Sequence, residues 1–282
     1  MKHVVSVVNL KGGVGKTTTA VNLAACWGEA GKKILLVDMD PQGSASLSVG
    51  VANEGKELLY ALRNKLKLPV VSTDVPGVDL VPSGMEMVEA GQLSASGFGN
   101  DILFHCLGLT NGNWDYVIID CPPGLGFHTM NSLMASQHVL VPVEASFLGM
   151  NGVKQMVKAI ESVRPQNPDI KIEAIIPCRA HRRRRIHWEI MDKLKEMFPG
   201  KVSPIIRENV SVAEAPGHGK PVIISARISK GADDYRVVML WLDEQFSGVQ
   251  HSEDVFDLEE LDDAADFEDA AESRYTDSYS TL

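Results

Sequence analysis

Lys11-Gly12-Gly13-Val14-Gly15-Lys16-Thr17-Thr18 is the stretch that decides how this chain folds. It follows His3-Val4-Val5-Ser6-Val7-Val8, an apolar run that reads as a strand buried on both faces. Residues 18–30, which come after it, read as a helix. A glycine-rich turn between strand and helix lets successive N–H groups converge on one anion, and the helix N-terminus adds partial positive charge. The general phosphate-loop pattern is G-x-x-x-x-G-K-[ST], in which the lysine reaches the β/γ-phosphates and the hydroxyl binds Mg²⁺. Here those residues are Lys16 and Thr17. Counting back from Gly15, the first glycine of the pattern is replaced by Leu10, and a second lysine, Lys11, occupies the next place.

Outward from the loop, apolar runs alternate with helical stretches. Residues 33–38, 69–72, 78–81, 115–120, 139–143, 170–176 and 202–206 read as strands. Helices are expected over 53–63, 100–109, 129–135, 149–163, 186–198 and 229–246, with residues 84–100 mainly loop and at most a short helix. Continuously apolar strands alternating with helices predict an α/β fold, a doubly wound and mostly parallel sheet. In such sheets ligands bind beyond the carboxyl ends of the strands.

Three aspartates fall at those ends. Asp38 and Asp40 close one strand in Leu36-Val37-Asp38-Met39-Asp40-Pro41-Gln42-Gly43, and Asp120 closes another in Val117-Ile118-Ile119-Asp120-Cys121-Pro122-Pro123. A nucleoside triphosphate with Mg²⁺ needs anion donors, a metal-side hydroxyl, a carboxylate for the metal's water shell and a group that orients the attacking water. The loop offers the first two. Asp120 suits the metal, with Asp38 near it, and Asp40 suits the water.

Charge is segregated along the 282 residues. The net charge is −10, but residues 251–282 hold 12 of the 37 acidic residues and only one of the 27 basic ones. Residues 151–227 hold 15 Lys+Arg against 8 Asp+Glu, with Arg182, Arg183, Arg184 and Arg185 in succession. Four adjacent arginines cannot share one helical face, so the run is either a solvated basic surface or a contact for phosphate backbones. Residues 1–247 are expected to form the nucleotide domain, and residues 248–282 have the composition of a disordered acidic tail. Four dispersed cysteines with no C-x-x-C pair point to buried, reduced thiols rather than a disulfide frame or a metal cluster. No apolar run is long enough to span a bilayer, and no secretory leader pattern is visible.

Taken together, these motifs resemble the deviant Walker A ATPases of the ParA/MinD family, and the chain is most similar to the ParA/Soj branch. The resemblance rests on the Lys11–Thr18 loop, the D-x-D-P-Q-G string ending at Gly43, the strand ending at Asp120, and the segment Arg207-Glu208-Asn209-Val210-Ser211-Val212-Ala213-Glu214-Ala215-Pro216-Gly217-His218-Gly219-Lys220-Pro221. It implies a P-loop ATPase using ATP and Mg²⁺, with Gly12, Gly13, Val14, Gly15, Lys16, Thr17 and Thr18 around the phosphates. Arg207 and Asn209 match a loop near the adenine. Thr17, Asp38 and Asp120 are placed on the metal side. Lys16, Asp40 and Lys11 are the catalytic set, Lys11 matching a signature lysine that crosses into a partner copy. The family further implies an ATP-dependent homodimer, non-specific DNA binding, which favours the DNA-contact reading of Arg182, Arg183, Arg184 and Arg185, and a ParB-like stimulating protein. Location in the cytoplasm on the nucleoid, and partition or positioning of a plasmid, chromosome or protein cargo, follow from the same resemblance. The alternative is a membrane-cycling regulator like MinD, whose basic amphipathic C-terminal helix the acidic tail does not match.

Overall fold

The computed structural model describes residues 3–96, 99–180 and 185–247. Arg182, Arg183, Arg184 and the acidic tail lie outside them. Seven strands form one sheet: β1 (His3–Val7), β2 (Ile34–Asp38), β3 (Val71–Ser72), β4 (Val78–Val81), β5 (Tyr116–Asp120), β6 (His138–Glu144) and β7 (Lys171–Cys178). Their order is β3-β4-β2-β5-β1-β6-β7, and every pairing is parallel except β3 against β4. β2 and β5 are buried along their whole length, as expected for central strands of a sheet covered on both faces.

The helices are α1 (Lys16–Glu29), α2 (Ser44–Ser48), α3 (Lys56–Asn64), α4 (Ile102–Leu109), α5 (Phe127–Ala135), α6 (Phe147–Val163), α7 (Arg185–Met197), α8 (Val210–Glu214), α9 (Val222–Ser225) and α10 (Lys230–Ser247). One sheet face contributes Val4, Leu35, Val117 and Val141 to a core completed by α3, α4, α5 and α6 through Leu62, Leu103, Leu133 and Met156. The alternate residues of the same strands, such as Val5 and Leu36, point to the opposite face, where α1 packs. Gly28 on α1 is obligatory: a Cβ there would stand 2.0 Å from the Pro76 carbonyl oxygen. The Trp27 ring lies flat on Tyr116, centroids 4.5 Å apart. Trp27 Nε1 and the Tyr116 hydroxyl both donate to Asp243 Oδ1, at 2.8 and 2.9 Å, tying α1, β5 and α10 together. All four cysteines are free and buried.

Two expectations fail locally. Residues 84–100 contain an extended 3₁₀ segment, Met85–Ser96. The stretch 202–206 is no strand, although it runs beside β7 with isolated parallel bridges Ile175–Val202 and Ala180–Arg207. Ile175 N–H donates to Lys201 O and Ser203 N–H to Ile175 O. The next rung would need an N–H from Pro177, which has none, and Pro204 lacks one on the facing chain. The ladder therefore stops and resumes only at Ile206 N–H to Pro177 O.

At the opposite end of β7, Glu173 is 1% exposed and meets His138 Nδ1 at 2.6 Å, Lys171 Nζ at 2.9 Å and Lys201 Nζ at 3.2 Å. Burial opposes its charge, but these donors outweigh burial and hold the carboxyl down at about 2. Lys171 and Lys201 reach solvent at 53% and 35% exposure, so removing Glu173 leaves mainly His138 without its partner. Glu173→Ala is expected to lower stability by about 1.5–3 kcal/mol in denaturant titrations at pH 7, the scale of hydrogen bonds to a charged group. Since the folded value is depressed, this contribution is present above the ordinary value of 4.5 and fades as pH falls toward 2. The difference between wild type and Glu173→Ala should shrink over that window.

Candidate functional site

The loop between β1 and α1 is shaped by two glycines. Gly13 has φ +74° and Gly15 φ +94°, in the left-handed region that side chains disfavour. Gly15 caps α1, and no side chain satisfies the first N–H groups of that helix, so they remain available to an anion. Lys16 is 6% exposed, and its Nζ donates to Lys11 O at 2.9 Å. Burial lowers the Lys16 pKa, against the pull of Asp120, Cys121 and Asp40.

Beside the loop lies a cavity of about 510 Å³. Gly12, Gly13, Gly15, Lys16, Thr17 and Thr18 line one end, with Asp40, Gln42 and Ser44 beside them. Ile206, Arg207, Glu208, Asn209, Val212, Ala213 and Tyr235 form the other end. One wall thus offers anion donors and the other a mixed apolar and polar surface suited to a planar base. The Val14 side chain is buried and takes no part in the lining.

The three aspartates separate into different environments. Asp38 and Asp120 are neighbours in register on β2 and β5, both at 0% exposure. Asp38 is satisfied: Oδ1 accepts from Asp40 N–H at 3.1 Å, and Oδ2 accepts from Ser46 N–H at 2.9 Å and the Ser46 hydroxyl at 2.7 Å. Desolvation still raises its carboxyl to about 6, against those donors. Asp120 has no hydrogen-bond partner on either oxygen. Desolvation first, and then the charge of Asp38, push its carboxyl well above the usual range, against the nearby Thr17 hydroxyl and the Lys16 ammonium. Asp40, 9% exposed, accepts Gln42 N–H on Oδ1 at 2.9 Å and faces the cavity.

No group of three or more His, Cys, Asp or Glu among the described residues forms a ready-made metal cage. Mg²⁺ does not require one, since it binds through one or two protein oxygens together with phosphates and water. A buried carboxylate lacking donors, next to a threonine hydroxyl at the foot of an anion loop, fits that demand.

The remaining residues are distributed as follows. Arg207 lines the cavity, but Asp234, 3% exposed, takes its backbone N–H at 2.9 Å and its guanidinium at 2.8–3.1 Å. Asn209 Oδ1 caps α8 through Ser211 N–H and Val212 N–H. Lys11 does not line the cavity; its Nζ meets Glu144 Oε2 at 2.8 Å. Arg185 is the first residue of α7. Cys178 and Arg179, at the end of β7, belong to the lining and were not anticipated. The same rule that flagged the aspartates, that strand C-termini converge on the ligand, would have flagged them. Burial pushes the Cys178 thiol up to about 12, so it serves as packing behind Gly15, whose Cβ position it approaches to 3.6 Å. Among the described residues no helix is long and apolar enough to cross a membrane.

A family model described as an AAA domain matches residues 2–172. The chain is 34% identical over 243 residues to the sporulation initiation inhibitor protein Soj of Bacillus subtilis, covering 83% of this chain and 96% of that one. It is 34% identical over 245 residues to the chromosome partitioning protein ParA of Caulobacter vibrioides, covering 83% and 91%. A crystal structure of cobyrinic acid a,c-diamide synthase from Mycobacterium smegmatis with a bound ATP analog and magnesium superposes with a TM-score of 0.75 at 28% identity, over 89% of this chain and 98% of that one. Loop, aspartates, sheet order and relatives agree: the chain belongs to the AAA-domain family, among the ParA/Soj-like P-loop ATPases.

Proposed function

We propose that this protein is an ATP-driven positioning switch that works as a homodimer on DNA. The observation that carries the nucleotide part is Asp120, a fully buried carboxylate with no donor of its own beside Thr17. On this reading residues 1–247 are the ATPase domain. The N–H groups of Gly12 to Thr18 cradle the phosphates, and Lys16 neutralises the β/γ end. Thr17 and Asp120 hold Mg²⁺, with Asp38 in support through its fixed position on the next strand. Bound there, Mg²⁺ would neutralise charge that builds on the terminal phosphates. Asp40, with one oxygen occupied by Gln42 N–H, orients the attacking water with the other. Ile206, Arg207 and Asn209 flank the base.

Lys11 has no counterpart in an ordinary phosphate loop, and Lys16 already serves the chain's own phosphates. Its proposed role is to neutralise a phosphate in a second copy, which makes hydrolysis depend on assembly. The run Arg182, Arg183, Arg184 and Arg185 is the proposed DNA contact, reading phosphates rather than bases. Soj and ParA are named for sporulation control and chromosome partitioning, which supports a positioning task here. A ParB-like protein is the proposed trigger of hydrolysis, and the nucleoid the proposed location.

Three outcomes are expected. Asp40→Ala should keep nucleotide binding but lose at least about 100-fold in turnover, the scale of a general-base contribution; wild-type turnover would exclude Asp40 as the water-orienting group. Both Asp38 and Asp120 have raised carboxyl values without ligand, and a divalent cation favours their charged forms. Mg²⁺–nucleotide binding should therefore release protons, and affinity should rise with pH through about 6 and above. Calorimetry in buffers of different ionisation enthalpy measures this, and Asp120→Asn should reduce the release. Replacing Arg182, Arg183, Arg184 and Arg185 by alanine should weaken DNA binding and flatten the plot of log K against log salt by roughly one unit for each phosphate no longer neutralised. Nucleotide affinity should be unchanged, and an unaltered slope would place the DNA contact elsewhere.

A further inference from the structure

We propose that Glu144 is a latch on Lys11, holding that lysine on its own chain until the nucleotide of a second copy draws it away. The inference rests on the reading above that Lys11 serves a partner's phosphates. The root of Lys11 is fixed to β6: its N–H donates to Asn9 Oδ1 at 3.0 Å, and Asn9 Nδ2 donates to Pro142 O at 2.7 Å. Two residues further along the same strand, Glu144 Oε2 takes Lys11 Nζ at 2.8 Å. The lysine is thus held at both its backbone and its tip by one strand end, on the rim of the loop and out of the cavity lining.

The strength of the contact suits a latch rather than a permanent bridge. Lys11 and Glu144 side chains are 43% and 37% exposed, and exposed ion pairs contribute little. A terminal phosphate, with more than one negative charge, competes well for the same ammonium. Glu144 is not abandoned when Lys11 leaves. Its carboxyl is held below the usual value first by the Lys11 hydrogen bond, but Arg179 and His187 also act on it. Arg179 lines the cavity and its guanidinium meets Glu208 Oε1 at 3.4 Å, so it acts on Glu144 only through its charge. With its side chain 37% exposed, Glu144 is hydrated when Lys11 leaves, so opening the latch strands no buried charge.

The test is the nucleotide-dependent dimerisation of the full chain, followed by sedimentation velocity with a slowly hydrolysed ATP analogue. Each dimer opens two latches. Glu144→Gln should tighten the dimer roughly 2- to 30-fold, the range that two exposed ion pairs allow, with Glu144→Asp in between. In a Lys11→Ala background Glu144→Gln should change nothing. If the wild-type dimer depends on Lys11 but Glu144→Gln leaves it unchanged or weaker, the latch is wrong and the function stands. Equal tightening in both backgrounds would mean a general charge effect and would also overturn it. If Lys11→Ala dimerises as well as wild type, the reading of Lys11 itself fails, and the latch with it.

Discussion

Two carboxylates on neighbouring strands, in register and out of contact with water, set the terms for the rest of this structure. Asp38 and Asp120 end β2 and β5 side by side. Removing an ionised carboxylate from water is expensive unless hydrogen bonds or a cation replace the missing hydration. The chain meets that cost for Asp38 by turning sharply after β2, so that Asp40 N–H and Ser46 come back onto it. For Asp120 it completes no hydrogen bond and leaves only the nearby Thr17 hydroxyl and the Lys16 charge. The deficit is local, placed under the glycine loop, and can be relieved by a proton or by a metal brought with phosphates. A carboxyl whose charge is disfavoured until a cation arrives makes the site responsive to occupancy.

Much of this was legible in residue order because it depends on local pattern. The glycine loop, the aspartates at strand ends and the alternation of apolar strands with helices are short-range signals, and they placed the cavity at the correct edge of the sheet. What escaped were interactions between residues far apart in the chain. Lys11 and Glu144 are 133 positions apart, Arg207 and Asp234 are 27 apart, and neither pairing has a sequence signature. The resemblance puts Arg207 in a loop near the adenine and says nothing of a partner, yet its charge is engaged by a buried carboxylate on α10. The stretch 202–206 looked like a strand because Val202, Ile205 and Ile206 are β-formers. The decisive residue, Pro177, sits in another element, and its missing N–H takes effect only once the two chains lie side by side. The short helices α2, α8 and α9 lie below the length at which periodicity can be read.

The prolines also divide the mechanical character of the site. The phosphate end is built on the central strands β1, β2 and β5, whose parallel ladders are continuous through the residues that precede the loop and the aspartates. Residues 205–209, the proposed base end, run beside β7 with one rung missing at Pro177 and are bonded again beyond it, by Ile206 N–H to Pro177 O, Ala180 N–H to Ile206 O and Glu208 N–H to Ala180 O. One end thus rests on unbroken ladders and the other beside a ladder with a single missing rung. With the nucleotide placed as proposed, the base side is where the backbone has one hydrogen bond fewer to give up, and a shift there would leave the ladders of β1, β2 and β5 intact.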